Sequence, residues 1–324
     1  MHRIVSSLVA FLLVSLVAPA WAQSQAYPTR PIRIVVPFAV GGIADSFSRA
    51  IGQRLNETWG QPVIIENRTG AGGNIGADAV AKAPADGYTL LMSNIGTHAV
   101  NVHLFKNMPF DPIRDFVPIA HVLDAEGLLV VHPAVKAATV TEVIALARAQ
   151  PGKLSYASGG MGTTSHLAGE LFKSLAGVDI IHVPYKGNLP AITDLIGGQA
   201  TMAFATMPTV VPHVKAGKLR ALAVIGNSRT ASLPDLPTVA ESGLPGFAVS
   251  NWIGLFAPAG TPMEIVERIN AEVQKIMQAP EMARRLETEG ARFFPMSAAQ
   301  FAEFQRSELA RWGKTIREAG IRID

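Results

Sequence analysis

The sequence predicts an α/β fold of two units, each a sheet of parallel strands covered by helices. Three observations lead there. Apolar strand-like runs alternate with amphipathic helix-like runs through most of the chain, the order that lays helices over parallel strands. Beyond a short leader about 300 residues remain, more than one hydrophobic core usually serves. A strand running into paired glycines and then a helix occurs twice, as "VVPFAVGGIADSF" and as "ASGGMGTTS".

The first residues read as an export signal. Arg3 precedes the apolar run "IVSSLVAFLLVSLVAPA", and Ala20-Trp21-Ala22 gives an A-x-A cleavage site before Gln23. The apolar run is short for a membrane span of roughly 20 residues. Removing Arg3 takes the formal charge from +3 to +2, and the cations are scattered, so no nucleic-acid surface is implied. With no cysteine, disulfides, thiolate metal sites and a cysteine nucleophile are excluded. An exported chain without disulfides fits the bacterial periplasm.

Next comes the first unit. Residues 31–37 (PIRIVVP) form a strand, and 44–56 a helix with Phe47, Ile51 and Leu55 on one face. Strand 62–66 (PVIIE), the link "TGAGGNIGA", helix 75–83 and strand 88–92 (YTLLM) follow. The second unit opens with the helix "TVTEVIALARA", where Thr139 and Glu142 are spaced as a capping box. Strands "LSYAS", "IIHVPY", "ATMAFAT" and "LRALAVIG" then alternate with three helices. The last third is mainly helical. Thr261 to Glu264 suggests a capping box with proline at the first helical position, and Ser297 to Gln300 suggests another. Apolar stripes follow both: Ile265, Ile269, Val273 and Ile276, then Phe301, Phe304, Trp312 and Ile316.

Two strand-like segments, 116–133 and 246–262, sit where the pattern changes. If the chain crosses at both, residues 23–123 and 250–324 form one discontinuous lobe and 124–249 an inserted second lobe. Two crossing strands make a hinge, and a hinge between α/β lobes suggests closure on a ligand.

The glycine turns carry the chemistry. A strand–glycine–helix turn aims free backbone N–H groups at an anion. Gly41-Gly42 is followed by Ile43-Ala44-Asp45, with no Lys-Ser/Thr pair for a triphosphate and no G-x-G-x-x-G. Ser93-Asn94 before Gly96-Thr97 forms a third turn at a strand end, where open α/β sheets bind ligands. Glycines that only permit tight turns are the simpler alternative for any one loop. Catalytic sets are scarce. There is no G-x-S-x-G, Ser165 and His166 are adjacent, and His98 and His103 are five apart instead of the four of a helical metal pair. No metal or cofactor is expected. Asp45 reads as a brace for its helix, although a general-base role is open.

The blocks "YPTRPIRIVVPF", "GQPVIIENRTGAGGNIGADAVAKAPADGYTLL", "GTHAVN", "HLAGELFKSLAGVDIIHVPYKG", "PHVKAGKLRALAV" and "LPDLPTVAESGLPGF" resemble the substrate-binding receptors of tripartite tricarboxylate transporters, the Bug receptors. The similarity runs from Tyr27 to the C-terminus. It implies a type II periplasmic binding-protein fold, with two α/β lobes, two hinge strands and a cleft for a small carboxylate. It also implies delivery to membrane permease subunits, by a chain taken here as a monomer; a receptor docking on a signalling partner, or an enzyme using the same cleft, are the rival classes. The site residues it implies are Phe38, Gly41, Gly42 and Asp45 in one lobe, with Ser93 and Thr97 beside them. In the other they are Ser158, Gly162, Thr163, Thr164 and Ser165, with Tyr185 nearby and Lys186 as an optional counter-charge. One departure stands out: relatives often carry Asp-Asn or Asp-Ser where this chain has Ala205-Thr206. A missing aspartate disfavours a ligand amine.

Overall fold

A computed structural model describes residues 27–230, 232–318 and 320–321; the expected leader and its cleavage site lie outside them. The first stretch gives β1 (Ile32–Val36), α1 (Ile43–Trp59), β2 (Val63–Asn67), α2 (Asn74–Ala81), β3 (Thr89–Asn94), the short α3 (Asn101–Leu104) and β4 (Phe116–Ala125). The second gives β5 (Gly127–Val131), α4 (Val140–Ala149), β6 (Ser155–Ser158), α5 (Thr164–Ala176), β7 (Ile181–Pro184), α6 (Asn188–Ile196), β8 (Met202–Thr206), α7 (Met207–Lys215) and β9 (Arg220–Val224). The return consists of β10 (Asn251–Pro258), α8 (Met263–Gln278), α9 (Pro280–Thr288), β11 (Ala291–Arg292) and α10 (Ala298–Glu318).

These elements build two lobes on two sheets, ordered β11-β4-β10-β3-β1-β2 and β7-β6-β8-β5-β9. The chain passes from the first sheet to the second at Glu126, between β4 and β5, and returns before Asn251. The parallel sheets expected from the βα alternation are present only in part. β1 pairs in parallel with β2 and β3, and β6 with β7 and β8. The strands beside each crossing are antiparallel: β10 to β3 and β4, and β5 to β8 and β9. The chain leaves the first sheet at Ala125 and returns beside that same end at Asn251, so β10 must run back along β4, which makes the pair antiparallel.

Local chemistry explains the elements. In α1, Phe47, Ile51 and Leu55 are fully buried at one-turn spacing, each contributing about 1.5–3 kcal/mol by leaving water. β3, β5 and β10 are buried at every position, as central strands covered on both faces should be. Thr139 caps α4 by accepting from Glu142 N–H at 3.2 Å, while the Glu142 carboxylate accepts from Ala138 N–H. Ser297 and Gln300 form a full reciprocal box ahead of α10. Thr261 does not cap α8. Pro262 occupies the cap position, and the Thr261 hydroxyl donates to Pro258 O at 2.8 Å.

Candidate ligand-binding site

Between the lobes lies a cavity of ≈ 610 Å³, within the range of small-molecule sites. The start of α1 lines it through Gly42, Ile43 and Ala44, and the start of α5 through Thr163, Thr164 and Ser165. The start of α6 adds Asn188 and Leu189, and Thr206 and Thr209 bring the start of α7. Its apolar walls include Phe38, Phe105, Met161, Phe204, Ile225 and Ile253. Among the described lining residues no carboxylate occurs, and Lys186, exposed at the rim, carries the only full charge.

Each glycine turn spends some of its N–H groups on itself. In the first lobe Gly41 N–H donates to Asp45 Oδ2 at 3.0 Å, and Gly42 N–H to Ala39 O at 3.3 Å. Asp45 is then held by Arg49 Nη2 at 2.9 Å and Asn67 Nδ2 at 2.9 Å, and Asn67 also donates to Phe38 O. Burial opposes the Asp45 charge, yet the bonds from Arg49, Gly41 and Asn67 outweigh it and keep the carboxyl below its ordinary range. Gly41 has φ 82, which a side chain rarely adopts. Gly42 has φ −74, and the nearest protein atom to an added Cβ, Ala39 O, is 3.4 Å away. The first-turn amides of Ile43 and Ala44 have no helical partner and lie at the cavity.

The second lobe braces its turn with neutral groups. Gly159 N–H donates to Ser165 Oγ at 2.9 Å, Gly160 N–H to Ser158 Oγ at 3.1 Å, and Gly162 N–H to His166 Nδ1 at 3.3 Å. Thr163 N–H donates to Gly160 O, and the Thr163 hydroxyl caps His166 N–H. The remaining amides, Met161, Thr164 and Ser165, make no hydrogen bond among the described residues, and all three residues line the cavity. The cap of α5 is Thr163, so Ser165 is the second helical residue, one later than a Thr164 cap would put it.

A third polar cluster joins the lobes. Asn251 Oδ1 accepts from Asn94 Nδ2 at 3.1 Å and from Thr164 Oγ1 at 3.0 Å. The Asn251 NH2 group is left as a donor at the wall, without a partner among the described residues.

Eight of the residues expected from the sequence line the cavity: Phe38, Gly42, Thr163, Thr164, Ser165, Tyr185, Ala205 and Thr206. Asp45, Ser93, Thr97, Ser158 and Gly162 stand behind its wall, and Gly41 is exposed outside its lining. Ser93 and Thr97 are fully buried and bonded to each other, and Thr97 also contacts His98 Nδ1 at 2.9 Å. Ser158 is bonded to His182 Nε2 at 2.6 Å. The sequence reading missed Asn251, Asn188 and the link Thr69–Gly73 as parts of the wall. A lone asparagine opening the apolar run "NWIGLFAP" was the available signal for Asn251. His98 stacks on Phe256 with ring centroids 3.9 Å apart, and complete burial pushes its pKa down to about 3. His103 Nε2 instead lies 3.0 Å from Leu309 O.

Residues 47–321 match the family model of the tripartite tricarboxylate transporter family receptor. The chain belongs to that family. BugT of Bordetella pertussis is 36% identical over 324 residues, spanning 100% of this chain and 99% of that relative. R. palustris Rpa4515, solved with adipate, superposes with a TM-score of 0.87 at 38% identity, covering 92% of this chain and 100% of that one. MatC (Rpa3494) from Rhodopseudomonas palustris, with bound malate, gives 0.84 at 35% identity, covering 90% and 100%. This member is thus a periplasmic solute-binding receptor of a transport system, with the two-lobed fold of such receptors.

Proposed function

We propose that this receptor captures a small organic carboxylate and delivers it to the membrane permease subunits of a tripartite tricarboxylate transporter. It works as an exported monomer whose leader is removed after Ala22. One observation carries the reading: the starts of α1 and α5, whose first-turn amides have no partner among the described residues, line a single cavity with no carboxylate among its described lining residues. Each helix start carries roughly half a positive charge, and backbone donors hold a planar anion without desolvating a lysine. The adipate and malate of the two solved relatives support this ligand class. Ala205 and Thr206 offer no negative group for an amine, so the ligand is a carboxylate with an apolar body and no amino group.

The receptor is not an enzyme in this reading. Ser158 and His182 are close enough for nucleophile and base, but Ser158 is 1% exposed and turned into its own loop. The lobes expected from the sequence, residues 23–123 with 250–324 and residues 124–249, close on the ligand in this reading, with the first boundary moved to the hinge at Glu126 because β4 keeps Asp124 and Ala125 in the first sheet.

A thermal-shift panel of mono-, di- and tricarboxylates, each beside its amino analogue, tests the proposal. The matching carboxylate should raise Tm in a saturating way; at about 1,000 times Kd it adds roughly 4 kcal/mol of apparent stability. No shift across the panel, or a larger shift with the amines, would contradict it.

A further inference from the structure

The loop after β6 crosses to the other lobe and is held there by a residue outside the cavity wall. Gly162 O and Gly96 O lie 2.9 and 3.2 Å from one terminal atom of the Asn101 side chain. Both neighbours are carbonyl oxygens, so that atom is the NH2 nitrogen; the amide oxygen then faces a terminal atom of Asn74 at 2.7 Å, and the Asn74 amide is turned likewise so that its NH2 donates there. Asn101 is fully buried. On its other side, Gly162 gives its N–H to His166. One peptide segment is therefore gripped by the second lobe at its N–H and by the first lobe at its C=O.

The surrounding space admits glycine only. A Cβ on Gly162 would sit 2.7 Å from the Asn101 amide and 2.8 Å from the Phe105 ring. A Cβ on Gly72, in the facing lobe, would sit 2.7 Å from Met161 O. Real Cβ atoms essentially never come so near, so the two backbones meet because neither carries a side chain.

We propose that Asn101 is a positioning residue that fastens the Gly160–Gly162 turn of the second lobe into the first and so favours the closed arrangement of the lobes. The same turn presents the Met161 amide and leads into those of Thr164 and Ser165, so the fastening sets the ligand donors in place as the lobes meet. Because the contact is made by protein groups alone, it acts without ligand. It is independent of the carboxylate assignment.

The chain has no cysteine, so single cysteines at the exposed Asn56 and Lys215 can carry a spin-label pair across the lobes. Pulsed-dipolar distances on purified protein without added ligand should show a short-distance population in the parent. Asn101→Ala should lower the closed-to-open ratio on the order of ten-fold, the weight of one buried amide–carbonyl bond. Gly162→Ala blocks the contact from the other lobe and should do at least as much. A melting curve for each variant establishes that it is folded. A purely structural role would lower Tm and leave the distances alone. Unchanged distances in either folded variant, or a parent without the short population, would overturn the proposal.

Discussion

The two glycine turns have the same outline and opposite chemistry. The first-lobe turn is held by a charge: Asp45 reaches back to Gly41 N–H and is itself held by Arg49 and Asn67. The second-lobe turn is held by neutral hydroxyls and imidazoles, through Ser158, Ser165 and His166, with His182 behind Ser158. Both arrangements leave first-turn amides of the following helix without a partner among the described residues, at helix starts that line one cavity. The difference teaches that a turn needs its inner N–H groups satisfied before its outer ones are free for a ligand, and that either kind of acceptor serves. It also gives the two turns different responses to acid.

The largest expected effect is the response to acid, in which His98, a first-lobe residue belonging to neither turn, adds its own share to that of the second-lobe histidines. Burial pushes the pKa of His98 down to about 3 and that of His182 to about 4, with the neighbouring His166 pushing His182 the same way; burial also lowers His166. Unfolded histidine titrates near 6.5. Below that pH the unfolded chain binds protons that the folded chain refuses, so stability falls as pH falls. For the fully buried His98 the slope is about 1.4 kcal/mol per pH unit, on the order of 3 kcal/mol between pH 6.5 and 4.5. The half-buried His182 adds a smaller, screened share. Facing this pair are Glu170, which opposes the lowering, Lys173, which adds to it, and the Tyr156 ring stacked on His182. Asp45 behaves oppositely. Its stabilisation is present above its unfolded pKa and is lost only as pH falls through a folded value below 3.8. The second-lobe turn should therefore loosen first. In a His98→Phe background, urea titrations between pH 7 and 4.5 should retain a shallow slope that His182→Gln reduces, His166 keeping the remainder; a flat profile before that second change would break the comparison.

Asp45→Ala comes next. It removes a buried carboxylate that accepts from Gly41, Arg49 and Asn67, and charged hydrogen bonds are worth about 1.5–3 kcal/mol. Denaturant unfolding should show a loss of that order, with weaker ligand binding because Gly41 N–H is released. Unchanged stability would mean that the charge does not hold the turn.

Ser165→Pro is the smallest. Proline is tolerated in a first helical turn, so the fold should survive. The Gly159 N–H loses its acceptor and the cavity loses one amide, so calorimetry should show roughly a ten-fold weaker affinity, about 1.4 kcal/mol. Unaltered affinity would place the Ser165 amide outside the donor set.

Local pattern made much of this legible. The buried face of α1 and the boxes at Thr139 and Ser297 depend on residues within a turn of each other, and the sequence shows them. Thr261 misled because the proline beside it takes the cap position and frees its hydroxyl for Pro258. The antiparallel pairing of β4 with β10 joins segments far apart in sequence, which no local period reveals. Likewise, the turns were legible as cleft edges, but not which groups face inward. Ser158 turns away because His182 waits on the next strand, and Asn251 becomes a wall donor because Asn94 and Thr164 converge on its oxygen.

The most direct test follows backbone amides of the labelled protein by TROSY NMR. The titrant is the carboxylate giving the largest thermal shift. The amides of Ile43, Ala44, Met161, Thr164 and Ser165 should move furthest, and those of Gly41, Gly159, Gly160 and Gly162, already bonded within their turns, should move little. The reverse pattern, or shifts centred on Lys186 with the helix starts silent, would contradict the account.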